Sequence, residues 1–274
     1  SLYGRNSLNE VLIKTSSSIF IPITAGGGIR NVEDARILLS SGADKIAINT
    51  AAIKDPSLIT KIAEEFGSQC IVSSIQARKS KNNNIWECMI ENGRERTKLS
   101  VIDWISNLNK LGAGEILLTS VDQDGTSLGP DKDLIELASK HSRLPLIVGG
   151  GLTEFEDIQF CLKKQIISGI SLGTALHKEK IEVKKLKIKI KENNISIRDN
   201  NASKYNLLKN DLQGISVGII DYGMGNQQSL INALKAIDVK VKLTNSKEVL
   251  KNTTILALPG VGSFPKGIDQ LKKL

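Results

Sequence analysis

The sequence predicts an α/β fold: an incomplete (β/α)8 TIM barrel of about six of the eight strands, followed by the start of a second α/β domain. Three observations lead to this prediction. Short β-branched strands alternate with amphipathic helices from about residue 18 to residue 191. A triple glycine follows a strand at 26–28 and again 123 positions later at 149–151 (149 − 26). A polar, asparagine-rich stretch at 193–213 precedes a new strand, glycine loop and helix from Gly214 onward.

The barrel elements follow in chain order. A helix at about 5–15 precedes the first strand, and the next helix begins after the N-cap Asn31 and ends at Gly42. Strand–helix alternation at this spacing gives a parallel sheet covered by helices, and a closed barrel needs eight strands. We therefore expect the first two strands to lie outside this chain; an open doubly wound sheet is the alternative, and the glycine repeat argues against it. The six predicted strands are 19–25, 45–49, 70–75, 115–119, 145–148 and 167–172.

The two triple-glycine turns predict phosphate binding. The strand after each turn ends at a Thr-bearing pair: Asn49–Thr50, 22 positions after Gly28 (50 − 28), and Gly173–Thr174, 23 positions after Gly151 (174 − 151). Glycines at the carboxyl end of a strand let backbone N–H groups approach an anion, and the next helix adds its positive dipole. Two half-barrels would place these units on opposite sides of one mouth. The repeat thus predicts a ligand with a phosphate at each end; the alternative is that both turns are merely tight connections.

Composition excludes several classes of protein. The net charge of +8 comes with a lysine-rich run at 178–191 that glutamates interrupt, which is typical of a solvated helix, and the aromatic content of 4 % is too low for nucleic-acid stacking. No apolar run approaches the roughly 20 residues of a membrane helix. We therefore expect no nucleic-acid partner, no membrane segment and a cytoplasmic location.

The cysteines and histidines predict neither disulfides nor a metal site. Cys70, Cys88 and Cys161 are odd in number and form no C-x-x-C pair, which indicates reduced thiols. His141 and His177 are too few for a histidine-based metal site, and no cofactor is expected. Because the chain opens on serine and ends in "DQLKKL", we expect that its ends are cuts rather than natural boundaries.

Longer stretches resemble a known pair of proteins. "GGGIRNVEDARILLSSGADKIAINTAAIKDPSLI", "FGSQCIV" and "GAGEILLTSVDQDGTSLGPD" resemble the cyclase subunit of imidazole glycerol phosphate synthase, from its third strand to its end. Residues 214–274 resemble the beginning of its glutaminase partner, a class I glutamine amidotransferase, in "GIIDYGMGN" and "LPGVGSF". The resemblance implies domains at 1–192 and 214–274, a linker at 193–213, and a cyclase–glutaminase contact in cis or in trans. It also implies a histidine-biosynthetic lyase in which ammonia from glutamine passes through the barrel and closes an imidazole ring on a bis-phosphorylated ribulosyl formimino carboxamide ribonucleotide.

The resemblance also implies roles for individual residues, carried over position by position. The first phosphate site would comprise Gly28, Asn49 and Thr50. The second would comprise Asp124, Gly125, Gly151, Gly173 and Thr174, with Thr119 lining the pocket. The ammonia entry and glutaminase contact would comprise Asp44, Lys45, Gln69 and Asn226. The strand whose backbone forms the glutaminase oxyanion hole would comprise Pro259, Gly260, Val261 and Gly262.

One position departs from the family pattern. The family closes the ring with two aspartates as general acid and base; the first lies on a strand outside this sequence, and the second position holds Gln76. An amide does not exchange a proton near neutral pH, so its presence should lower the rate by about 10²–10⁴. The activity of this chain therefore stays open. One alternative is a paralogous amidotransferase system supplying ammonia to a sugar for surface polysaccharide, and another is a non-catalytic phosphate-binding conduit or scaffold.

Overall fold

The chain divides into two compact units. The structure, a computed structural model, describes residues 5–19, 21–80, 85–198, 212, 214–223, 226–260 and 264–274. Unit 1 combines residues 1–48, 57–71 and 200–274, and unit 2 combines residues 49–56 and 72–199.

The first part of unit 1 contains two parallel strands and their helices. Asn31 caps α2 as predicted, because its side-chain oxygen accepts a hydrogen bond from the Asp34 N–H at 2.8 Å. The strand at 19–25 was predicted too long. The observed strand covers only Thr24–Gly26, and Ile21 is 67 % exposed. Pro22 has no N–H to give to a sheet, which is consistent with the late start. The elements are α1 (Arg5–Ser18), β1 (Thr24–Gly26), α2 (Val32–Ser40), β2 (Lys45–Ile48) and α4 (Ser57–Phe66), then a 3₁₀ turn at Ser68–Cys70.

The second part of unit 1 is a three-stranded parallel sheet in the order β10–β9–β11. Val217 and Ile219 of the central strand bury against Ile231 of α10 and form the core of this part. On the other face Gly218 leaves room for α11, since a Cβ there would lie 3.0 Å from Leu250 Cδ2. The elements are β9 (Ser216–Ile220), α10 (Gln227–Ala236), β10 (Lys240–Thr244), α11 (Lys247–Lys251), β11 (Ile255–Ala257) and α12 (Phe264–Leu271).

Unit 2 is built on four parallel strands in the order β3–β6–β7–β8. Their side chains alternate: Ile116, Leu118, Leu146 and Val148 are buried, and the residues between them are half-buried. The strands are β3 (Ile71–Lys79), β6 (Glu115–Ser120), β7 (Leu146–Gly149) and β8 (Ile167–Ser171). The helices are α3 (Thr50–Lys54), α5 (Val101–Leu111), α6 (Lys132–His141), α7 (Phe155–Leu162), α8 (Thr174–His177) and α9 (Val183–Glu192).

An antiparallel hairpin extends the β3 side of unit 2. It consists of β4 (Trp86–Ile90), which pairs with β3, and β5 (Glu95–Ser100), which pairs with β4. The Trp86 indole N–H donates to Asp131 Oδ2 at 2.7 Å, and Asp131 also caps α6. The hairpin is thereby fastened to the start of α6.

The strand count agrees with the sequence prediction. Before residue 193, the two parallel strands β1 and β2 of unit 1 and the four of unit 2 alternate with helices, which gives six among the described residues of that part. The fold is therefore α/β and consistent with a TIM barrel. No helix in the described ranges is long and apolar enough to cross a bilayer.

Candidate functional site

A row of polar and small residues crosses the carboxyl ends of the four strands of unit 2. The sheet register places Gln76 beside Thr119, Thr119 beside Gly149, and Gly149 beside Ser171. Residues opposite one another in a sheet present their side chains on the same face. In α/β folds ligands bind beyond the carboxyl ends of the strands, so this row marks the candidate site.

A cavity of about 140 Å³ lies at this edge of unit 2. It brings together five of the residues predicted for the second phosphate site and its pocket: Thr119, Asp124, Gly151, Gly173 and Thr174. Gly125, the sixth, follows Asp124 with a φ of +77° and is not among the described lining residues. The rest of the lining consists of Ser127, Gly149, Gly150, Leu152, Thr153, Ser171 and Ala175.

The cavity presents unpaired backbone donors. Within the described part of the chain, the N–H groups of Gly151, Gly173 and Thr174 are paired with no protein acceptor. Such grouped N–H groups form the concave donor sets that bind anions. Asp124 is the single charged residue of the described lining, so any anion here is held by neutral donors beside a carboxylate.

The two triple-glycine turns differ in their surroundings. A Cβ on Gly27 or Gly28 would meet nothing within 4 Å, although both residues have a positive φ. A Cβ on Gly151 would lie 2.1 Å from the Gly129 carbonyl oxygen, and one on Gly150 would lie 2.9 Å from Ser120 O. The second turn therefore needs glycine because the end of β6 and the β6–α6 loop pack against it, quite apart from any ligand.

Asn49 and Thr50 lie in unit 2 beside the β4 hairpin. Asn49 Nδ2 donates to Gln76 Oε1 at 3.2 Å and to the Met89 carbonyl at 3.0 Å, and its Oδ1 is buried without a partner among the described residues. Thr50 Oγ1 accepts the Glu91 N–H at 3.1 Å. Gly28 belongs to unit 1, so the first phosphate site stays a prediction.

The residues predicted for the ammonia entry cluster in unit 1. Asn226 Nδ2 donates to the carbonyl oxygens of Ala43 at 3.0 Å and Asp44 at 3.2 Å, while its Oδ1 caps α10 through the Ser229 N–H. Ser229 Oγ donates to Asp44 Oδ1, and the Ile23 N–H donates to Asp44 Oδ2 at 2.7 Å. Residues after Gly214 thus contact the beginning of β2 directly.

The remaining predicted residues of unit 1 lie near this contact or on the last strand. Gln69 Nε2 donates to the Phe66 carbonyl at 3.0 Å, and Lys45 opens β2. The neighbouring thiol of Cys70 has its pKa raised to about 11, chiefly by burial. Tyr222 Oη donates to the Pro259 carbonyl, and Gly260 follows. Val261 and Gly262, predicted for the oxyanion strand, lie outside the described residues.

Comparison with known proteins identifies the family. The profile of the histidine biosynthesis protein family matches residues 1–182. The chain belongs to this family. It is 54 % identical over 157 residues to the imidazole glycerol phosphate synthase subunit HisF of Legionella pneumophila, an alignment that covers 57 % of this chain and 74 % of that protein. Identity is 47 % over 160 residues to the HisF subunit of Dictyoglomus thermophilum, with 58 % and 63 % of the two chains covered. It is 41 % over 186 residues to that of Natranaerobius thermophilus, with 68 % and 73 % covered.

The family match covers the cavity of unit 2 but ends before Asn226. The chain spans 63 % to 74 % of the length of these HisF relatives. The similarity is to cyclase subunits of imidazole glycerol phosphate synthase, enzymes of histidine biosynthesis. Residues 214–274 fall outside the matched range.

Three polar lining residues were not singled out from the sequence. Ser171 ends β8 two positions before Gly173, and strand parity alone would have placed it in the row with Thr119. Thr153 and Ser127 come from loops, where no periodicity indicates which side chains face a cavity. The described residues contain no group of three or more His, Cys, Asp or Glu that could hold a metal ion.

Proposed function

We propose that this chain carries the ammonia-dependent cyclase site of an imidazole glycerol phosphate synthase and binds a bis-phosphorylated ligand. The observation that carries the proposal is the cavity of unit 2, where the unpaired N–H groups of Gly151, Gly173 and Thr174 meet. One phosphate of the ligand binds these donors. Asn49 and Thr50 are proposed to bind the other phosphate.

Gln76 limits the chemistry of this site. Its Oε1 accepts from Asn49 Nδ2 at 3.2 Å, and it lies in the register row beside Thr119. A carboxylate at this position could exchange a proton with the ligand. Gln76 can accept and donate hydrogen bonds but cannot transfer a proton. We therefore propose that ring closure with ammonium salts is slow or absent in this protein.

A substitution at Gln76 tests this proposal. In the full-length protein, Gln76→Asp should raise ammonium-dependent turnover of the ribulosyl substrate by about 10²–10⁴, because it restores a proton-transferring group. Gln76→Asn is the matched control, since asparagine has the shape of aspartate without its acidity, and it should give no gain. Equal turnover by the parent and the aspartate variant would contradict the role assigned to this position.

A second candidate function shares the same cavity. Because Gln76 lacks a titratable proton, the chain suits a paralogous amidotransferase system in which ammonia attacks a different, sugar-like acceptor. If Gln76→Asp binds the ribulosyl substrate without turning it over, this second function is favoured. A scaffold that only binds phosphate would show binding and no ammonia consumption with either acceptor.

Residues 214–274 are proposed to begin a class I glutamine amidotransferase domain that delivers ammonia in cis. Two features support the proposal: the parallel β10–β9–β11 sheet, and the hydrogen bonds of Asn226 and Ser229 to Asp44 within unit 1. The backbone from Pro259 to Gly262 would supply the oxyanion hole.

A further inference from the structure

The cavity of unit 2 is short of positive charge. Its described lining contains hydroxyl groups, glycines and Asp124, and no lysine or arginine. An anion bound there must be stabilised by neutral N–H and O–H donors, against the repulsion of a nearby carboxylate. Each additional donor therefore matters more than it would in a site with a cation.

Ser127 offers a donor that neither the repeat nor the resemblance assigned. It lines the cavity, and its Oγ is buried with no hydrogen-bond partner among the described residues. A buried hydroxyl without a partner is energetically unfavourable, so such groups are uncommon unless something else pairs with them. The hydrogen of a serine hydroxyl can rotate about the Cβ–Oγ bond to point at an acceptor.

The backbone around Ser127 is held in an unusual conformation. Its φ is +61°, in the left-handed region that serine rarely adopts. The Thr153 hydroxyl donates to the Ser127 carbonyl at 3.5 Å, and the Gly129 N–H donates to the Gly151 carbonyl at 3.1 Å. These two contacts tie the backbone of the Ser127 loop to the second glycine turn and to Thr153 just after it.

We propose that Ser127 is a further phosphate-binding residue, whose hydroxyl donates to the phosphate group held by the Gly151, Gly173 and Thr174 amides. The inference rests on the proposed function of this cavity and adds a residue to it. This role accounts for two features of Ser127. Its hydroxyl is buried without a protein partner, and serine occupies a position where glycine would be less strained.

The test is a titration of the ¹⁵N-labelled full chain with inorganic phosphate, followed by the amide NMR shifts of Gly151, Gly173 and Thr174. These shifts report binding at this cavity rather than elsewhere. Ser127→Ala should weaken phosphate binding about tenfold or more, as expected for losing a hydrogen bond to a charged group. Ser139→Ala is the matched control, because Ser139 Oγ on α6 is also buried without a partner but does not line the cavity.

A second variant separates binding from folding. Ser127→Gly removes the hydroxyl and suits the positive φ, so it should unfold at an equal or higher temperature than the parent while binding phosphate as weakly as Ser127→Ala. If phosphate shifts these three amides and binds equally well to the parent and to both Ser127 variants, the role of Ser127 is overturned and the cavity's proposed function stands. If the parent chain shows no phosphate-dependent shifts, the phosphate assignment of the cavity and this inference both fail.

Discussion

Gly151→Ala tests whether the second glycine turn is required by packing. Gly151 has a φ of +79°, and an added Cβ would lie 2.1 Å from Gly129 O, 2.8 Å from Gly129 C and 3.2 Å from Gln123 O. All three contacts are with backbone, which cannot move aside as the end of a flexible side chain can. The β6–α6 loop must therefore shift, and the Gly129–Gly151 hydrogen bond of 3.1 Å is lost with it.

The expected loss of stability is about 4 kcal/mol. An alanine in the left-handed region contributes about 1–2 kcal/mol of strain, the broken hydrogen bond about 1 kcal/mol, and the overpacked loop about 1–3 kcal/mol. Gly125→Ala is the matched control in the same loop, because Gly125 has a φ of +77° and an added Cβ there meets nothing within 4 Å. The control should lose only the strain, about 1–2 kcal/mol.

Urea unfolding followed by tryptophan fluorescence measures both losses. The chain has two tryptophans, Trp86 and Trp104; both are buried and belong to unit 2, so the fluorescence reports the unit that carries both substitutions. The free energy of unfolding should fall by about 2–3 kcal/mol more for Gly151→Ala than for Gly125→Ala. Equal losses in the two variants would refute the packing argument and leave backbone conformation as the sole reason for glycine at 151.

Two further predictions concern unit 1 and the thiols. The hydrogen bond from Ser229 Oγ to Asp44 Oδ1 should give a coupling free energy of about 1.5–3 kcal/mol in a double-mutant cycle of Ser229→Ala and Asp44→Ala. Denaturation followed by circular dichroism measures the four stabilities of the cycle. If the losses of stability in the two single variants add up to the loss in the double variant, the contact contributes nothing. Burial raises the pKa of Cys70 to about 11 and the pKa values of Cys88 and Cys161 to about 12, from an ordinary value of 9.0, so iodoacetamide at pH 8 should label them only in urea. As the pH rises, a thiol ionises in the unfolded chain before it ionises in the folded one. The contribution of the three buried thiols to the free energy of unfolding is therefore complete below about pH 9 and is lost as the pH rises towards 11–12. Urea midpoints that stay level across that range would contradict the burial.

Regular elements were predictable because their causes are local. The N-cap Asn31 and the spacing of apolar residues placed α2 and the strands that follow it, and the six-strand count agrees with the structure. The strand at 19–25 was predicted too long, because an apolar run was counted as paired although Pro22 lacks an N–H and Ile21 is exposed. Propensity describes which residues suit a strand, and pairing depends on neighbours that the local sequence does not specify.

The loop residues of the candidate site were harder to predict. Thr119 and Gly173 could be placed from strand ends and from the resemblance, and both line the cavity. Ser127 could not be placed in this way, because it lies in a loop. Its φ is +61°, and its carbonyl accepts a hydrogen bond from Thr153, which is 26 positions away in a different loop. Non-glycine residues with positive φ follow from tertiary packing, which periodicity does not encode.

The triple glycines of the two turns are explained by different structural constraints. At the second turn the glycines at 150 and 151 are accounted for by their positive φ and by the close approach of Ser120 and the β6–α6 loop, so their presence is no argument for phosphate. The support for phosphate binding at this turn is the set of hydrogen-bond donors, namely the unpaired cavity amides and the hydroxyl of Ser127. At the first turn the reverse holds. Only its positive φ favours glycine at position 28, and the space where a Cβ would be is open. A ligand can therefore approach the Gly28 backbone closely. The same glycine repeat therefore occurs at one turn that packs against neighbouring backbone and at another turn whose backbone is open to a ligand.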